Sequence, residues 1–311
     1  MALVLTLTSK LASMMLIVII GYLAVRLHIL KAEHTVPLSN LVIMILQPCL
    51  IITSFQIELT RERLAGFLCI TLFATVVYIF WIFLTKILRK PLHLTPVDQM
   101  TMIYSNVGNL ILPLVNMVLG PEMVFYGSAV MIPFNLIIWS HGVTVMHHGG
   151  GIDLKKAIKN PNVFSVFIGI FLLLARIPIP DVLLTSMTSL SAMVGPTSML
   201  VIGMVIANTD LKRVFTYKRS YPILLGRLIV FPLLTMLVLY ATQFLRFQPQ
   251  FIPILLVAFI ALAAPPASTV SQMAVLYDEQ PVEASIYNVM GVFLCTATIP
   301  LVIAVYQLLF M

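Results

Sequence analysis

The sequence predicts an all-α integral membrane protein of ten transmembrane helices, arranged as two inverted five-helix repeats with crossing broken helices. Three observations predict it. Of 311 residues, 60% are hydrophobic and 9% charged, with a mean hydropathy of +1.07, whereas a soluble domain carries about 25% charged residues. The apolar residues fall into ten runs, each near the roughly 20 residues that a helix needs to cross the hydrocarbon core. Two of those runs are interrupted in the same way, in corresponding places of the two halves.

The spans are placed at 5–25, 36–55, 64–85, 100–119, 123–146, 161–176, 182–207, 220–243, 251–276 and 284–310. The first is long and apolar with no small-residue cleavage site, so it reads as a retained span rather than a signal peptide. The second contains Gln47-Pro48, and the seventh Gly195-Pro196-Thr197-Ser198. Each is either a plain proline kink or a cavity wall. Trp81 in the third span, Trp139 in the fifth and the tyrosines near span ends read as interface anchors. The fourth span reads YSNVGNLILPLV, with Asn106, Gly108, Asn109 and Pro113. The ninth reads ALAAPPASTVSQM, with Pro265, Pro266, Ser268, Thr269, Ser271 and Gln272. Between the fifth and sixth spans, 147–160 reads as a short cytoplasmic linker joining the first repeat, 1–146, to the second, 161–311. The eighth span holds Arg227, the one basic residue well inside a span. It either snorkels to the interface, holds a carbonyl cluster or draws an anion inward.

Pro113 and Pro265 are 152 residues apart, and so are Leu38-Ser39 and Leu190-Ser191. Five spans per half is an odd number, so the second half must be inverted relative to the first. Paired broken spans in corresponding positions point to a transporter with its binding site at the breaks.

The net charge is +7. Loops after odd-numbered spans carry twelve of the 18 Lys and Arg residues, the opposite side five, and Arg227 is the last. The positive-inside rule places the twelve in the cytoplasm and both termini outside. The reading is therefore a multi-pass plasma-membrane protein. Topology and anionic lipid account for the basic loops, and no nucleic-acid partner is needed.

All eleven acidic residues fall in loops or near span ends. Cation exchangers normally carry an acid within the membrane, so this pattern argues against one. It also leaves proton coupling without an evident protein carboxylate. Cys49, Cys69 and Cys295 lack metal-ligand or redox spacing, and His147-His148 beside a glycine run reads as a solvated loop, with no metal or cofactor expected. No HExxH or GxSxG motif is present, so no enzyme is expected either.

A helix broken inside the membrane leaves N–H and C=O groups that only protein or a water-lined cavity can satisfy. The half-helix N-termini at such breaks present N–H groups and partial positive charge, which suits an anion. The alternative is that these prolines and polar residues only kink and pack the helices.

At this point the residues carry a resemblance. SNVGNLILPL in the fourth span and AAPPASTVSQMAVLYDEQPVEASIYNV across the ninth and tenth resemble the auxin efflux carrier family. So do GRLIVFPLL in the eighth span and KNPNVFSVFIGIFLLL at the sixth. The resemblance implies the sodium/proton antiporter-like and bile-acid symporter-like fold. It also implies that Asn106, Asn109, Pro113, Pro265 and Pro266 form the crossover. Where plant members have an asparagine beside proline in the ninth span, this chain has Pro265-Pro266-Ala267-Ser268, and it lacks their long cytoplasmic loop. The resemblance is thus to the bacterial organic-acid branch, which carries malate, malonate and related acids. The expected function is secondary transport of a small organic anion, a mono- or dicarboxylate such as malate. Gln47, Ser268, Thr197 and Ser198 are further binding candidates. Coupling to H+ or Na+ and a homodimer stay open, as do an aromatic-acid carrier and a receptor without flux.

Overall fold

A computed structural model describes residues 2–147 and 160–311. The expected linker, apart from its two ends, lies outside the described residues. In chain order the main helices are α1 (Ala2–Arg26), α2 (Thr35–Ser54), α3 (Arg61–Leu88), α4 (Pro96–Ile103), α5 (Val107–Leu119), α6 (Pro121–Met146), α7 (Pro161–Ala175), α8 (Asp181–Ala207), α9 (Ser220–Ala241), α10 (Ile252–Leu262), α11 (Ser268–Leu276) and α12 (Pro281–Phe310). No strand occurs among the described residues. Among the described residues seven helices, α1, α2, α3, α6, α8, α9 and α12, are long and apolar enough to cross a membrane. Three shorter apolar helices, Val107–Leu119, Pro161–Ala175 and Pro249–Leu262, fall where the fourth, sixth and ninth spans are expected.

Each shortening has a local cause. α4 and α5 lie in the stretch expected as the fourth span, and α10 and α11 in the stretch expected as the ninth. α7 stops because Arg176 turns into the left-handed region, at φ 55°, and the following Ile-Pro-Ile-Pro cannot continue a helix.

Burial separates a lipid-facing shell from a centre. On α3, Leu68, Leu72, Val76, Ile79 and Phe83 are exposed, and their three- to four-residue spacing marks one outward stripe. α10 is buried at every position from Ile254 to Leu262, so it runs through the middle of the bundle.

α1 and α8 touch backbone to backbone. A Cβ on Gly203 would lie 2.0 Å from the Val18 carbonyl oxygen, and one on Gly21 would lie 2.3 Å from that of Leu200. Small residues permit this approach between membrane helices.

Four spans contain a π-helical stretch, at Val42–Leu46, Val107–Ile111, Ile138–Gly142 and Gly226–Val230. In three of them a proline follows two residues past the end: Pro48, Pro113 and Pro232. Proline has no N–H to return to the preceding turn, and the wider π turn absorbs the mismatch. This explains Gln47-Pro48 and corrects the expectation for Pro113. Both prolines widen a helix that continues, and neither breaks one.

Candidate functional site

The break in the fourth span lies upstream of Pro113. Tyr104 leaves the helix with φ −99° and ψ 127°, and α5 begins again at Val107. The break in the ninth span lies between α10 and α11 and contains Pro265 and Pro266. The two breaks pair as a short antiparallel bridge, Ser105 opposite Pro266. The Asn106 N–H donates to the Pro265 carbonyl at 2.9 Å, and the Ala267 N–H to the Tyr104 carbonyl at 3.0 Å. Each break therefore satisfies groups that the other leaves open, as a membrane interior demands. The paired residues are not separated by the 152-residue interval of Pro113 and Pro265, so that interval does not give the register of the crossover.

Side-chain amides extend from the crossover. Asn106 Nδ2 donates to Ser268 Oγ at 3.2 Å, and its Oδ1 accepts the Asn109 N–H at 3.3 Å. Asn109 Oδ1 accepts from Gln47 Nε2 at 2.7 Å, and Gln47 Oε1 accepts from Asn162 Nδ2 at 2.7 Å. One chain of hydrogen bonds thus joins α7, α2, α5 and α11. Gln47 is completely buried, and both ends of its amide are held within this chain.

The N-termini of α5 and α11 meet at this point. Asn106 caps α5, while Ala267 gives α11 no side-chain cap. A helix N-terminus carries roughly +0.5 charge.

Two cavities flank the meeting point and share Ile43, Asn109, Ser268 and Gln272. The larger, about 190 Å³, also reaches Ser198 and Asn288, with aliphatic side chains that include Val42, Val201 and Val205. The smaller, about 100 Å³, reaches Gln47, Asn106 and Asn162. Ser198 Oγ and Asn162 Oδ1 are buried in these walls without a hydrogen-bond partner.

Asn106, Asn109, Ser268, Gln47, Ser198, Pro265 and Pro266 are therefore gathered at one place, as bridge or as cavity lining. Pro113 packs beside Gly195 instead, and Thr197, though buried, lines neither cavity. Sequence reasoning missed Asn162 and Asn288. Asn288 Nδ2 donates to the Pro266 carbonyl at 3.2 Å, which ties α12 to the second break.

The sequence model of a family described as membrane transport protein matches residues 6–153 and 145–303. The chain belongs to this auxin-efflux-carrier type of membrane transport family. No curated protein matches it.

Two further clusters in this membrane transport protein back the crossover. The first is centred on Asp98, in the first turn of α4. Its carboxylate is 1% exposed and accepts from Arg219 at 2.6 Å and from the Tyr287 hydroxyl at 2.6 Å. It also completes a capping box with Thr95. The Asp98 hydrogen bond holds Arg219 above its ordinary pKa. The residue sits near a span end, as the sequence suggests, but it is a buried clamp joining α4, α12 and the residue that leads into α9.

The second cluster corrects two expectations. Arg227 is fully buried and cannot snorkel. Its guanidinium lies 4.9 Å from the ring centroid of Trp81, and its three nitrogens have no hydrogen-bond partner, so it holds no carbonyl cluster. Trp81, expected at the interface, is buried too, with Nε1 donating to Thr235 Oγ1 at 2.9 Å. A cation–π contact replaces only part of a guanidinium's hydration. Replacing Arg227 with methionine is expected to raise stability by about 1–4 kcal/mol. Thermal unfolding of the purified variant in detergent measures this, and a lower midpoint would reveal a partner that the cation needs.

Tyr104, at the first break, is also held from behind. Its hydroxyl lies 3.0 Å from His141 Nδ1, and the neighbouring Ser105 Oγ lies 3.2 Å from the Tyr78 hydroxyl.

Proposed function

We propose that this transporter is a secondary carrier of a small organic anion in the size range of malate. The observation that supports it best is the meeting of two half-helix N-termini, at Asn106 and Ser268, beside cavities lined by Asn109. Peptide dipoles and side-chain amide donors converge there, away from bulk water, where hydrogen bonds to a carboxylate are strong. Gln47 orients Asn109 by occupying its carbonyl, which leaves the Asn109 amide nitrogen for substrate.

In this reading the chain forms ten spans in two inverted halves, with both termini outside the plasma membrane. The crossover, tied to α12 by Asn288, shifts against α1 and α8 to open the site to each side in turn. A substrate that carries its own proton would meet the coupling requirement without a membrane carboxylate, while Na+ is the alternative coupling ion.

The test is counterflow. Proteoliposomes preloaded with one unlabelled acid from a panel are given the same acid in labelled form. Saturable accumulation of at least one acid is expected. Saturable binding with no flux for any acid would replace the carrier with a receptor. The larger cavity has no aromatic side chain among its described lining residues, whereas the smaller is lined by Phe134 and Trp139, so strong competition by indole-3-acetate would favour an aromatic-acid carrier that uses the smaller cavity.

A further inference from the structure

We propose that the transported anion bears a single carboxylate and that the rest of the molecule is uncharged. This rests on the anion-carrier reading above and narrows its substrate class. Two observations carry it. First, every described side chain that lines either cavity is uncharged. The larger cavity is lined by hydroxyls and amides, including Ser39, Ser271 and Ser285, interleaved with aliphatic side chains. Arg227 is buried against Trp81 and lines neither cavity. Second, Ser198 and Asn162 line the two cavities at 3% and 6% exposure, and Ser198 Oγ and Asn162 Oδ1 have no hydrogen-bond partner. Neutral groups of this kind pair with a hydroxyl, carbonyl or amide of a ligand.

The charge balance points the same way. Each half-helix N-terminus contributes roughly half a positive charge, and two of them match one carboxylate. A second carboxylate would be desolvated among serines, amides and valines with no countercharge among the described lining residues, which is strongly disfavoured. At about 190 Å³, the larger cavity has room for a small organic acid.

A matched pair of acids tests this. Malate and 2-hydroxybutanoate share the hydroxy-carboxylate end and differ in whether the far end is a carboxylate or a methyl group. In counterflow, 2-hydroxybutanoate is expected to half-saturate transport at a concentration at least about tenfold lower than malate, or 1.4 kcal/mol in binding. Malate equal to or better than 2-hydroxybutanoate would overturn the inference while leaving anion transport intact. No exchange of any acid by folded, inserted protein would overturn the carrier reading itself.

A gain of function gives an independent check. Val201→Lys places a cation in the cavity lining at a partly exposed position. It is expected to shift the ratio of the two acids toward malate by about tenfold. An unchanged ratio in a variant that still carries 2-hydroxybutanoate would show that charge in this cavity does not set selectivity.

Discussion

Asn109→Ala is expected to raise the half-saturation concentration for the transported acid by roughly tenfold to a hundredfold. A hydrogen bond to a charged partner contributes about 1.5–3 kcal/mol, and each 1.4 kcal/mol is a factor of ten. The effect on stability should be smaller. The Gln47 donor, which now bonds Asn109 Oδ1 at 2.7 Å, loses its acceptor, but it borders a cavity that admits water. That limits the loss to the low end of the roughly 1–3 kcal/mol cost of an unmet buried donor. Counterflow and thermal unfolding on the same preparation separate the two quantities. An unchanged half-saturation concentration would remove Asn109 from the binding site.

The largest stability effect is expected at Gly203. The carbon added in Gly203→Ala would meet the Val18 carbonyl oxygen at 2.0 Å and the Tyr22 nitrogen at 2.7 Å. Both belong to the α1 backbone, which cannot swing aside as a side chain can. Overpacking usually costs about 1–3 kcal/mol, and two opposed backbones place this variant at or above the upper end. Gly195→Ala is the control. Its added carbon would find Pro113 Cβ no closer than 3.4 Å, and alanine favours helix over glycine by up to about 1 kcal/mol. Unfolding midpoints in one detergent compare the two. Similar midpoints would mean that α1 and α8 separate easily.

The comparison of sequence with structure divides by range. The second break was legible because two adjacent prolines remove two donors and stop a helix wherever they fall. The exact place of the first is not legible, since one proline in a membrane helix can be absorbed by a π turn and the extended Tyr104 carries no breaker of its own. The amides Asn106 and Asn109 were legible because polar residues in an apolar run are costly. Asn162 was not, because an asparagine at a helix start looks like a capping residue until Gln47 is placed against it. Asp98 sits near a span end, as all the acidic residues are expected to, and it serves in a capping box. Its ion pair with Arg219 and its bond to Tyr287 join distant parts of the chain, which local pattern does not encode. The full burial of Arg227 was not legible, because a basic residue at that position in the eighth span suits a snorkelling side chain as well as a buried one. Its contact with Trp81 was not legible either, because tryptophan in an apolar helix suits a membrane interface as well as a core.

The antiparallel bridge between the two breaks has a consequence for how the protein is made. The Tyr104 carbonyl and the Asn106 N–H take their partners from Ala267 and Pro265, which a ribosome reaches long after the fourth span has left it. At about 5–20 residues per second, the wait is roughly ten to thirty seconds. During that interval the first half holds an unpaired backbone kink in or beside the bilayer, where each unmet group costs several kcal/mol. The early half must keep that kink near water, or shielded by the insertion machinery, until its counterpart arrives. The crossover therefore closes only after the second break has been made, and a chain truncated before Pro265 would lack the partners of the first break.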